Sequence, residues 1–341
     1  MQQLRKDNHY VPRLYLKQWA RSGKIPTYRL LVPSGNCPLW KDHSIKGIAF
    51  HQHLYTYVAG QGETDEFERW LDREFENPAE EAIDRVINDQ RLTPQHWSQL
   101  IRFLAAQDVR TPVRLKEFLA RQSKTLLPLI NETLTSSVAE LEKAARIGVH
   151  FSAPKRDVND LFPFKVTIAS DVDGGGIIRA EAVAGRQLWL ACSRHMLTRT
   201  ISHLIAHRWT ILHAPDGITW PTSDNPVIRL NFADAYNYDF LGGWGRHNGE
   251  ILLPLSSKHL LYTKIGNSRP LPRGTTLNED TASLVRRMII ENADRFVFAQ
   301  EEGDIHRIRP RTVCSETFKR EKLAWQNWHQ EQSKVEADFL R

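Results

Sequence analysis

Between Thr64 and Arg146 the apolar residues recur every three or four positions, and beyond Pro154 that spacing gives way to short β-like runs separated by turns. No other feature limits the fold as much. A chain that segregates its helical and strand patterns in this way is of the α+β class. The expectation is a helical block in the first half packed on a mainly antiparallel β-sheet in the second half. Four segments follow: a basic, β-rich module over 1–62, the helical block over 63–150, a β-rich region with inserted helices over 151–310, and a C-terminal helix over 311–341. They are expected to form one globular unit.

Within the helical block, Phe67, Trp70, Leu71, Phe75, Ile83, Val86 and Ile87 mark a helix from Thr64 to Asp89, interrupted near Pro78. Thr64 is its expected cap. A second helix starts at Pro94 and ends near Thr111-Pro112, and a third runs from Val113 to about Arg146. In the basic module, Arg13–Trp19 is a short helix after Pro12, and His53–Val58 reads as a strand. In the second half, Phe164–Ile168, Leu188–Ala191, Trp209–Leu212, Val227–Leu230, Glu250–Leu253, Leu260–Thr263 and Arg295–Ala299 read as strands. Gly174-Gly175-Gly176 reads as a hairpin turn. Helices are expected from Met196 to Arg208, from Asn278 to Glu291 and from Thr317 onward.

With 41% hydrophobic and 25% charged residues, the 341-residue chain is neither disordered nor fibrous. No apolar run approaches the roughly 18 residues of a membrane span, and Met1–Asp7 lacks the apolar middle of a secretory signal. A cytoplasmic location without membrane attachment is the expectation. Cys37, Cys192 and Cys314 have none of the paired spacings of a zinc knuckle or redox loop and read as plain thiols.

The net charge of +6 is unevenly placed. Residues 1–62 hold nine basic residues against two acidic ones, and residues 63–91 hold eleven acidic against four basic. Either the two segments touch and neutralise each other, or an open basic face attracts phosphates by counterion release.

The opening Asn8-His9-Tyr10-Val11-Pro12-Arg13-Leu14-Tyr15-Leu16 resembles the signature of the uncharacterised bacterial family DUF4238. Other segments agree in order: Gln107–Pro112, Trp209 followed by Thr222–Val227, Leu253–Ser256, and Asn278 with Asn292–Phe298. The resemblance spans residues 7 to 300. It implies a bacterial or phage-related cytoplasmic protein, carries no reaction, and points to His9, Gln107, Arg110, Asp224 and Asn225 as the characteristic polar positions. Arg13 and Trp19 stand where the family more often has Gln and Phe.

His9 lies in an extended segment within the basic region, where an imidazole suits acid–base work. It equally suits a hydrogen bond to the following helix. Arg110 on the apolar side of its helix needs either Asp224 as an ion-pair partner or a phosphate. Ser223-Asp224-Asn225-Pro226 is a turn by composition, or a loop that places Asp224 against His9. No phosphate-binding glycine loop, nucleophile elbow or dinucleotide fingerprint is present. No cofactor is expected. Should a divalent metal bind, His51 and His53 are the candidate ligands, because alternate strand residues share a face.

The leading expectation is a phosphodiester hydrolase, a nuclease acting on RNA or single-stranded DNA, in a bacterial defence or toxin role. His9 is its general acid/base, Arg110 stabilises the phosphate and Asp224 orients His9. Gln107, Asn225, Arg13 and Lys17 contact substrate. The alternative is a non-enzymatic module that binds nucleic acid or a protein, with Arg110 and Asp224 as a structural ion pair. A small phosphate-bearing substrate is a third reading.

Overall fold

The computed structural model describes residues 4–60, 62–149, 162–170, 176–266, 269 and 271–340. Its helical half begins with Glu66–Leu71, widens into a five-residue π turn at Asp72–Glu76, and continues as Ala79–Ile87. The helix Pro94–Val109 starts at a reciprocal cap. The Thr93 hydroxyl accepts the His96 amide, and the His96 ring accepts the Thr93 amide. At the next helix the Thr111 hydroxyl accepts the Arg114 amide, and Pro112–Arg146 continues for 35 residues with Pro128 inside it. Leu100, Phe103, Leu104 and Leu115 bury the inner face of this pair.

The larger sheet is ordered Tyr238–Asp239, Ile228–Phe232, Gly249–Pro254, His259–Lys264, Thr210–His213, Thr275–Thr276. Only its last pairing is parallel. Leu212, Leu252 and Leu260 on one face pack with Trp220, Val285 and Met288, so the helix Glu279–Asn292 covers that side. The other face, through Ile211, Ile251 and Leu261, belongs to the main core with Phe67, Leu100 and Phe103 of the helical half. This is the expected α+β arrangement, with mainly antiparallel sheets.

A second sheet joins distant parts of the chain in the order Thr222–Ser223, Phe296–Phe298, Lys24–Arg29, Trp40–Ser44. The strands of the basic module therefore complete a sheet whose other half lies about 200 to 270 residues later. The helix Ser315–Leu340 lies against this module and is anchored by Glu336, which accepts the Val58 amide and the Arg186 guanidinium.

Several local expectations need correction. Leu188–Ala191 is not a strand but part of the helix Arg186–His195. Four apolar residues in a row fit a buried helix turn as well as a strand, and here the flanking residues extend the helix. Of the expected strand His53–Val58 only Tyr57–Val58 is strand, within Tyr57–Ala59; the preceding strand Phe50–Gln52 ends at His53, which takes φ +55°. Thr222–Ser223, read as loop, is a short strand. The Gly174-Gly175 turn lies outside the described residues. Among the described residues no helix is long and apolar enough to cross a membrane.

Candidate active site

The strand Asp7–His9 pairs with Phe50–Gln52, and the alternation of side chains decides what each motif residue faces. His9 lies opposite Phe50, and their rings tilt together at 5.4 Å. Tyr10 turns the other way and meets His51 at the same spacing. His9 is buried; its Nε2 accepts from Arg13 Nε at 3.3 Å, and the Lys46 backbone lies against the ring. Burial, with Arg13 and Arg110 nearby, pushes its pKa down to about 4. Tyr10, one residue later, lines a cavity of about 300 Å³ that His9 does not reach.

Arg110 is sealed at 1% exposure. Its Nη2 donates to the His9 carbonyl at 2.6 Å and to Glu68 at 3.5 Å, its Nη1 donates to Glu76, and its Nε donates to the Tyr55 hydroxyl. Tyr55 in turn donates to the Arg110 carbonyl at 2.7 Å. The π turn at Asp72–Glu76 aims Glu76 at this guanidinium. Asp224 is not the partner of Arg110; Glu68 and Glu76 of the helical block face its guanidinium instead.

Asp224 does not orient His9. Its two oxygens accept the backbone amides of Asp294 and Arg295, at 2.8 and 2.7 Å. Burial and the neighbouring Asp294 push it up to about 7, against those donors. Asn225 and Asn292 exchange amide-to-carbonyl hydrogen bonds at 3.0 and 2.7 Å, so the Asp224-Asn225 turn clamps the loop before Phe296. Gln107 is fully buried away from the cavity. Arg13 holds His9, and Lys17 forms an exposed ion pair with Glu80. Lys17–Glu80 and Arg5–Asp72 show that the basic and acidic segments do touch.

His51 and His53 do not converge. His51 stacks on Trp325 at 3.9 Å, and His53 stacks on His329, one helical turn further along the same helix. Burial pushes His51 down to about 4.

What the motif segments do share is the cavity. Tyr10, Pro112, Asp224 and Asp294–Phe296 all line it, each from a different segment of the family resemblance. One wall is a chain of alternating charge: Lys116 to Asp294 at 3.0 Å, Asp294 to Arg295 at 2.7 Å, and Arg295 to Glu321. Phe296, Phe318 and Trp325 supply apolar surface, the last two from the C-terminal helix. Two cations on the lining, Arg29 and Lys322, have no ion-pair partner among the described residues. His43 also lines the cavity, with its Nε2 buried and without a hydrogen-bond partner. Burial, with Lys41 and Arg29 nearby, lowers its pKa.

Sequence reasoning missed Arg29, His43, Lys116, Lys322 and Trp325. Alternation carried a signal for two of them, since Arg29 and His43 fall on one face of paired strands: His43 opposes Ile25, and Arg29 follows Ile25 and Thr27 at intervals of two. Phe318, Lys322 and Trp325 recur at helical spacing in the tail.

The fold and this cavity define an α+β protein with a solvent-reaching pocket, part aromatic and part cationic, to which both the N-terminal strands and the Ser315–Leu340 helix contribute. The family model for DUF4238, described as a protein of unknown function, matches residues 7–303, and the chain belongs to that family. No curated protein and no solved structure matches it.

Proposed function

We propose that the protein is a phosphodiester hydrolase acting on RNA or single-stranded DNA, and that the cavity between Tyr10, His43, Asp294 and Trp325 is its active site. The observation that carries this reading is that His43, whose Nε2 has no hydrogen-bond partner, lines the same cavity as two cations without an ion-pair partner among the described residues. A volume of about 300 Å³ is at the lower end of ligand pockets and suits one nucleotide unit rather than a duplex. Trp325 and Phe296 offer faces on which a base stacks, and Arg29 and Lys322 hold the phosphate.

In this scheme neutral His43 takes a proton from water as the water oxygen bonds to phosphorus. The bond from phosphorus to the leaving oxygen then breaks, and that oxygen receives the proton. Arg29 and Lys322 stabilise charge building on the phosphoryl oxygens. The acid–base role thus moves from His9, whose Nε2 accepts from Arg13, to His43.

The test is incubation of wild type, His43→Ala and His9→Asn with RNA, single-stranded DNA and duplex DNA. Cleavage of single strands by wild type, lost about 10²-fold or more in His43→Ala and kept in His9→Asn, supports the reading. Cleavage that survives His43→Ala overturns the assignment. Saturable oligonucleotide binding without cleavage, weakened in Arg29→Ala and Lys322→Ala, favours the non-enzymatic binding module instead.

A further inference from the structure

Register brings two histidines together on the larger sheet, far from the cavity. His213 and His259 are directly opposed in the antiparallel pair Thr210–His213 and His259–Lys264. Cross-strand neighbours project from the same face, and here the ring centroids are 4.8 Å apart at an interplanar angle of 81°. Asp89 reaches them from the loop that ends the helix Ala79–Ile87. Its Oδ1 lies 3.2 Å from His213 Nε2 and 3.5 Å from His259 Nε2. The three donor atoms all lie within 4.8 Å of one another.

These separations are longer than the about 2.7–2.9 Å of a charge-assisted hydrogen bond. They match the edge of a coordination tetrahedron, about 3.3–3.4 Å for metal–ligand distances of about 2.0–2.1 Å. Near-perpendicular rings let one ion lie in the plane of both imidazoles. Ser256 Oγ sits 2.8 Å from His259 Nδ1, the position from which an outer partner fixes a ligating histidine with its Nε2 lone pair facing the ion. Arg273 opposes a cation through its charge near His259, but it also fastens the loop by donating to the Gln90 carbonyl at 2.6 Å.

A second trio, His53, Glu63 and His329, has donor atoms equally close. Its chemistry is wrong for a metal. The two rings are stacked at 3.9 Å and 9°, so no ion lies in both planes, and His329 Nδ1 is occupied by Arg186.

We propose that Asp89, His213 and His259 bind one divalent transition-metal ion, with zinc the best fit to two imidazoles and a carboxylate. The Asp89 side chain is 63% exposed, so a coordination position faces solvent. Three protein ligands with an open position is the arrangement of zinc sites that bind water or substrate.

Full-length protein stripped with EDTA and titrated with zinc against a chromophoric chelator tests this. Wild type should take up one tight equivalent, and cobalt in its place should give tetrahedral ligand-field bands. Asp89→Asn and His259→Gln, checked for folding by circular dichroism, should each weaken zinc at least tenfold, while His329→Gln should not. No tight equivalent in wild type, unchanged affinity in both ligand variants, or loss in His329→Gln would each overturn the proposal.

Discussion

Arg110 has every direction of its guanidinium committed, to Glu68, Glu76, the His9 carbonyl and Tyr55. Removing it leaves Glu76 without its cation in the interior and takes a donor from Glu68. Arg110→Ala should therefore lower stability by about 3–5 kcal/mol, read from urea unfolding, whether or not the protein has bound a ligand. Glu68 carries the pH consequence. Burial and Glu76 raise it to about 8, so it adds stability that is complete below about pH 4.5, the ordinary range of the unfolded group, and is lost as pH rises through 8. Glu68→Gln should flatten the fall of the urea midpoint between pH 5 and 8. His51 works in the opposite sense. Its pKa is depressed to about 4, so its contribution is complete above about pH 6.5 and is lost as pH falls toward 4. His51→Gln should flatten the acid limb; an unchanged limb would show that His51 is not what titrates there. At this scale the sequence displayed which residues were polar and inward. It could not display their partners, because Glu68, Glu76 and His9 meet Arg110 only through tertiary packing.

Helices with a cap at one end and a period throughout were legible. Thr93-Pro94, Thr111-Pro112 and Asn278 each begin a helix where the side-chain oxygen accepts a backbone amide. The helix Arg186–His195 was not legible, since Gly185 offers no side-chain cap and Leu188–Ala191 has no polar interruption. Its first residue makes the most buried ion pair of the tail: Arg186, 0% exposed, with Glu336. Glu336→Ala should cost about 3–5 kcal/mol. In a double-mutant cycle with Arg186→Met, the second substitution should recover much of that loss. Purely additive effects would mean that the pair contributes nothing together. The tail helix also supplies Phe318, Lys322 and Trp325 to the cavity, so its amphipathic spacing in the sequence was visible while its purpose was not.

Across the whole molecule, the alternation of a basic segment with an acidic one was a correct guide to contact, through Arg5–Asp72 and Lys17–Glu80. These pairs are exposed and contribute little individually. Of the cations that matter for the proposed ligand, Arg29 belongs to the basic segment that the charge map singled out, whereas Lys322 comes from the tail helix, which it did not. Binding of a short oligonucleotide should weaken steadily as salt rises from 50 to 200 mM, with a slope reduced in Lys322→Ala. A salt-independent affinity would remove the phosphate from the proposal.

The sheet that runs Thr222–Ser223, Phe296–Phe298, Lys24–Arg29, Trp40–Ser44 has a consequence for synthesis. A ribosome that has released the first 250 residues has produced three of its four strands, and the Lys24–Arg29 edge that faces the missing one is bare. The partner that covers it, Phe296–Phe298, emerges only when residues up to 298 have been released as well. Until then that bare strand edge is a template for pairing with other chains. Completion of this sheet thus waits until Phe296–Phe298 has been made, and nascent chains stalled before residue 296 should be held by chaperones or aggregate.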